Sequence, residues 1–108
     1  MKIENIFSEN GILDSHEIFE ILLKADNFKL ERIISSGQST PEGEWLCQEW
    51  DEGVILLSGK AGLSFEDEEC ILDLFPGDYI HIPANMRHRV EWTDQSQKTV
   101  WLALHYKE

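Results

Sequence analysis

A chain of 108 residues has the usual size of one domain and is long enough to bury a core without disulfides. Its composition is globular, 42% hydrophobic and 28% charged, and 21 acidic residues against 9 basic ones leave a net charge of −12. That balance argues against nucleic acid and anionic membranes as partners, because both recruit basic surfaces. It also repels anionic ligands at long range unless a local cation offsets the field.

Residues 1–13 are mixed in character, with Asn10-Gly11 as a turn. In Asp14-Ser15-His16-Glu17, Asp14 is placed to cap a helix and Glu17 stands three residues on, the reciprocal capping arrangement. Ile18, Phe19, Leu22, Leu23 and Ala25 follow at helical spacing, which predicts a short amphipathic helix over 15–24, ended by Asp26-Asn27. Residues 28–35 alternate in part and predict a strand, and 36–43 have the composition of a loop. From Trp45 onward the pattern predicts strands over 45–50, 54–57, 61–66, 70–74, 78–82, 88–92 and 100–106. Turn signals separate them at 51–53, 58–60, 67–69, 76–77, 83–85 and 94–97. Many short strands with frequent turns predict an all-β sandwich or barrel, 1–108 forming one domain without repeat or linker.

Cys47 and Cys70 are too few for a disulfide framework, and inert free thiols are the expectation. No apolar segment of signal-peptide type follows Met1-Lys2-Ile3-Glu4, and no run approaches the ~18 apolar residues of a spanning helix. A cytoplasmic protein is therefore expected.

The most informative stretch runs from Gly77 to Trp92. Pro83 ends an apolar run because it lacks an amide proton, and Asn85 supplies a turn residue that tolerates positive φ. Arg87, Arg89 and Glu91 then fall on one face and His88, Val90 and Trp92 on the other, so His88 heads an inward face just past a tight turn. This stretch resembles the second motif of the cupin superfamily. Gly77, Pro83 and His88 fall on its Gly, Pro and His; Asn85 stands at its second Gly and Trp92 at its Asn. Glu52 and Gly59 fit the Glu and Gly of the first motif, but its two histidines are replaced, by Leu46 and Gln48 or by Trp45 and Cys47 according to the spacer taken. The resemblance covers residues 45–106, with 1–36 as an N-terminal segment. It implies a small antiparallel jelly-roll barrel, here carrying a short N-terminal helix, and in many members a metal on that histidine.

If Glu52 and His88 share the interior, alternation brings Gln48 with them. Gln48, Glu52 and His88 then form a carbonyl, carboxylate and imidazole set, suited to one divalent ion (Zn, Mn, Ni or Fe) with open positions. The same three side chains also make a hydrogen-bonded buried network without metal. Trp50, Trp92 and His105 are candidate pocket-lining residues, whereas Trp45 and Trp101 read as packing, His81 as outward, and Arg87 and Arg89 as solvated or paired. No Gly-rich phosphate loop, Cys-x-x-Cys or Gly-x-Ser-x-Gly is present. Two functions follow: a metal-dependent enzyme acting on a small molecule, or a non-catalytic module binding a sugar or metabolite. Either is compatible with a homodimer, for which Ile6 and Phe7 are candidate contacts.

Overall fold

The computed structural model describes residues 1–8 and 16–108. Eight strands form its regular structure: β1 (Ile18–Ala25), β2 (Phe28–Ser35), β3 (Asp51–Ser58), β4 (Ala61–Phe65), β5 (Leu72–Leu74), β6 (Tyr79–Ile82), β7 (His88–Thr93) and β8 (Thr99–Tyr106). All pairings are antiparallel, in two sheets of order β1-β2-β8-β3-β6 and β5-β4-β7. The all-β expectation holds. The strands pair as two sheets among the described residues rather than as one ladder around a barrel. No helix there is long and apolar enough to cross a membrane.

The core lies between the sheets. Val54, Leu56, Trp101, Ala103 and Ile82 come from the larger sheet, and Ala61, Leu63, Phe65 and Leu74 from the smaller. Burying one such Leu or Phe contributes about 2 kcal/mol, so the alternating inward residues of β3 and β8 are what hold the two layers together.

The expected N-terminal helix is absent. Residues 18–25 form β1, a hairpin with β2 turned by Asp26-Asn27. A bulge lies between Ile21 and Leu23, so Leu22 is an extra residue and positions on one face change spacing from two to three. That shift, on a run apolar in both phases, imitates a helical period. Asn10-Gly11, Asp14 and Ser15 lie outside the described residues.

Residues 45–50 were also expected to be a strand, yet they pair only through an isolated bridge, Leu46 with His88. The 40–46 segment nonetheless lines the free edge of β7. Thr40 N–H donates to the Val90 carbonyl at 2.9 Å, and Leu46 and His88 exchange backbone bonds of 2.7 and 3.0 Å. Asp51, Glu52 and Gly53, expected as a break, open β3 instead. The turn at 83–85 holds: Asn85 has φ 66°, and its N–H donates to the Gln48 carbonyl at 2.7 Å.

A second bulge sits where β4 pairs β7. Gly62 faces Trp92 and Leu63 faces Val90, leaving Glu91 unpaired. Inward alternation therefore runs His88, Val90 and then Thr93, which is 1% exposed, while Trp92 crosses to the other face over Gly62. A Cβ on Gly62 would meet the Trp92 indole nitrogen at 2.1 Å.

Gly59 turns β3 into β4 with φ +80°, and a Cβ there would meet the Thr99 Cα at 2.6 Å. Gly43 has a similar φ of +83° but open space around it. Gly43→Ala is expected to lose about 1 kcal/mol of stability, the left-handed backbone cost alone. Gly59→Ala should lose at least about 3 kcal/mol, because the β8 backbone must also shift. Urea unfolding measures both; equal losses would mean that the Gly59–Thr99 contact constrains nothing.

Candidate functional site

Strand register sets one row of side chains across the inner face of the larger sheet. Lys24, Lys29, His105, Glu52 and Ile82 are successive direct neighbours on β1, β2, β8, β3 and β6. Glu52 is buried in this row, and each of its oxygens faces a histidine. Oε1 accepts a hydrogen bond from Gln48 Nε2 at 2.7 Å and stands 3.9 Å from His88 Nε2. Oε2 stands 3.9 Å from His105 Nε2. His88 Nδ1 lies 2.9 Å from the Met86 carbonyl, which can only accept, so Nδ1 carries a hydrogen and Nε2 is the nitrogen that faces Glu52.

Glu52 and His88 face a cavity of about 290 Å³ between the sheets. Its walls are mainly apolar: Val54, Leu63, Ile82, Val90 and Trp101 from the strands, with Trp45 and Leu46 from the 40–46 segment. Glu17 also reaches it, accepting from Ser35 Oγ at 2.6 Å, and Ser35 in turn accepts from the Trp101 indole at 3.0 Å. Arg89, expected to be solvated or ion-paired, does more than pair with Glu91 at 2.7 Å. It donates to the carbonyls of Thr40, Pro41 and Glu44 at 3.0, 3.3 and 3.2 Å and so fastens the rim. Arg87 is paired with Glu66 at 3.1 Å.

The residues singled out from sequence divide between two spaces. Gln48, Trp50 and His105 line a separate recess of about 280 Å³ together with Lys24 and Lys29. The Gln48–Glu52 hydrogen bond joins that recess to the cavity. Trp92 lines neither, because the Glu91 bulge turns it away. Trp45 and Trp101, read as packing, do line the cavity. His81 points outward, 3.2 Å from the Tyr106 hydroxyl and 3.8 Å from Asp51.

Sequence reasoning missed Glu31, a buried carboxylate 3.4 Å from His105 Nε2, and the two lysines of the recess. Glu31 follows Leu30 in an alternating strand, and alternation alone sends it to solvent. β2 is the second strand of its sheet and is buried on both faces, a tertiary fact.

The fit of the sequence-derived ligand set to a divalent ion turns on donors. Gln48 presents its amide nitrogen to Glu52, which leaves Glu52 and His88 as the donors shared by the cavity. Among the described residues, no three His, Cys, Asp or Glu side chains stand close enough to hold one ion. Sites for zinc-like ions use at least three protein ligands, so the arrangement as it stands does not fit a resident metal.

A family model described as a cupin domain matches residues 33–105. The chain is similar over 100% of both lengths to a candidate mannose-6-phosphate isomerase from Ralstonia eutropha JMP134, with 42% identity and a TM-score of 0.94. It is similar to the polyketide cyclase RemF from Streptomyces resistomycificus at 26% identity and TM-score 0.72, covering 87% of this chain and 67% of that one. A cupin family protein with a double-stranded β-helix fold from Methanocaldococcus jannaschii shares the fold, with TM-score 0.71, 16% identity, and 98% and 93% of the two chains covered. No curated protein matches.

Burial raises the Glu52 pKa above its ordinary 4.5; the nearby His105 and the Gln48 hydrogen bond pull it partly back, and the Glu31 charge pushes it up again. The folded state therefore holds a proton that the unfolded chain has released. Stability from this group is present below the unfolded value and is lost as pH rises through the folded pKa. Glu52→Gln removes that loss, so its stability relative to the native protein should improve as pH rises above the ordinary value of 4.5 and level off once the folded carboxyl has ionised. Denaturant unfolding at several pH values tests this. A flat or opposite trend would mean that the carboxylate titrates at or below its ordinary value.

Proposed function

The chain belongs to the cupin family, and from that premise we propose that it binds a small, mainly apolar molecule between its sheets, with Glu52 and His88 as the polar contacts. The observation that carries this reading is the cavity itself: about 290 Å³, apolar-walled, with a buried acid and a buried imidazole side by side. Pockets of this kind take small ligands and orient them with a few polar groups. His88 offers an acceptor at Nε2 in its neutral form and a donor in its protonated form. Glu52, its pKa raised, offers a donor when protonated and an acceptor when not. The pair suits a hydroxyl or carbonyl group and is chemically able to move a proton at it. The similar structures differ in described activity, a candidate mannose-6-phosphate isomerase and a polyketide cyclase. One fold hosts many reactions, so the reaction is not carried over from them.

A second reading, a divalent ion held by Gln48, Glu52 and His88, is favoured by one observation. The Met86 carbonyl holds His88 by Nδ1 and leaves Nε2 facing Glu52, the orientation of a metal-ligating imidazole. It requires the Gln48 amide to flip. That breaks the 2.7 Å bond to Glu52 and sets oxygen against oxygen unless a cation lies between them.

One set of samples separates the readings. p-Cresol is added to untagged protein and the indole N–H resonances of Trp45 and Trp101 are followed. Saturable shifts are expected, with affinity reduced about tenfold or more in Val90→Phe, which fills the cavity. Elemental analysis of the same protein is expected to find no stoichiometric transition metal. A content near one per chain that disappears in His88→Ala would replace the first reading with the second, and unchanged p-cresol binding in Val90→Phe would remove the first.

We further propose that two copies of the chain pair through β1. This edge strand exposes Phe19, Ile21, Leu22 and Leu23, each between 41% and 59%, beside a backbone edge that pairs with no other strand among the described residues. Such an edge invites aggregation unless it is covered, and a two-fold-related β1 covers both its ladder and its apolar side chains. Ile6 and Phe7 are less suited to this role. Ile6 is held against the sheet, its carbonyl accepting from Arg32 at 2.9 Å. Sedimentation velocity should give a dimer, converted to monomer by Ile21→Lys with Leu23→Lys; a native monomer at the highest concentration would refute the pairing.

A further inference from the structure

The recess on the far end of the inner row carries a charge arrangement that the cavity does not explain. Lys24 and Lys29 are directly opposed across β1 and β2. Like charges in direct cross-strand register destabilise a sheet. Lys24 reaches this face only because Leu22 is inserted as a bulge; without the extra residue it would point to the opposite side. Lys29 is offset in part by Glu31 at 3.9 Å, while Lys24 has no ion pair among the described residues. A third cation joins them, Lys107, whose Nζ lies 4.8 Å from the centre of the Trp50 ring. Three of the six lysines in a chain of net charge −12 thus gather at one recess of about 280 Å³.

A further observation points the same way. His105 lines this recess and is 9% exposed; its Nε2 is buried and makes no hydrogen bond, with the Glu31 and Glu52 carboxylates 3.4 and 3.9 Å away. Buried polar atoms are nearly always hydrogen-bonded, and neither carboxylate forms that bond with Nε2. Gln48 adds amide polarity and Trp50 an aromatic face.

We propose that this recess binds the anionic group of a small molecule, a carboxylate or a phosphate ester, between Lys24 and Lys29, with His105 and Gln48 beneath it and Trp50 beside it. An anion there relieves the lysine–lysine repulsion and supplies the local cation-to-anion match that the acidic surface otherwise opposes. The inference stands apart from the cavity reading, since it uses different side chains and a different space.

The test is a titration of full-length protein at about pH 7 and constant ionic strength with sodium phosphate and, separately, sodium acetate, followed by the Trp50 indole and His105 ring resonances. Saturable shifts at both residues are expected with at least one anion, with millimolar affinity of roughly −4 kcal/mol. Saturation by phosphate alone assigns a phosphate ester; saturation by acetate as well assigns a carboxylate-tolerant site. Lys24→Gln with Lys29→Gln should weaken binding about tenfold. Lys60→Gln with Lys98→Gln, which changes net charge equally elsewhere, should weaken it less than about twofold. Equal weakening in the two pairs would show only the general field of the protein. Shifts that fail to saturate by about 50 mM would show no site. Either result overturns the proposal.

Discussion

Burying the Glu52 carboxylate is the constraint that organises this molecule. A carboxylate leaves water only if its oxygens find partners, and those partners must come from separate parts of the chain. Gln48 comes from the segment before β3, His88 from the start of β7 and His105 from near the end of β8. Each is fixed in turn: Gln48 through its carbonyl to Asn85, His88 through Nδ1 to Met86, and His105 by register opposite Glu52. The acid therefore stands between the two sheets at the place where the cavity and the recess meet.

Much of the fold was legible in the sequence, for a specific reason. From β4 onward, strands of three to eight residues are bounded by Gly, Pro, Asn or acidic turns, and side-chain alternation runs without interruption over most of each strand. The errors fall where alternation breaks. Leu22 in β1 and Glu91 in β7 are single inserted residues. One turned a strand into an apparent helix, and the other sent Trp92 to the wrong face. A bulge leaves no composition signal of its own, because any residue occupies it; its cause is the partner strand. The 45–50 segment failed differently. Trp45 and Leu46 face the cavity and the edge of β7 and Trp50 faces the recess, so the segment has strand-like composition without a continuous ladder.

The candidate site was legible to the same extent. His88 and Glu52 lie side by side as their motif positions imply, and Gln48 bonds to Glu52. That Gln48 and Glu52 open onto different spaces was not readable, since it depends on which end of a strand meets which wall. Glu31, Lys24 and Lys29 were invisible because each owes its inward placement to register across three strands rather than to any local pattern. Charged residues in such positions read as solvent-facing until the ladder is known.

The 40–46 segment has a consequence for how this protein can change. It is moored at Thr40 and at Leu46, with Arg89 gripping carbonyls between them, and it contributes no continuous strand to either sheet. Its backbone contacts do not specify which side chains Pro41, Glu42, Glu44 and Trp45 carry. This part of the cavity wall is therefore set apart from the residues that hold the sheets together, while the strand side chains Val54, Leu63, Ile82 and Trp101 serve both wall and core. Selection or an engineer can rewrite one wall of the chamber while the scaffold that shapes the remainder stays as it is.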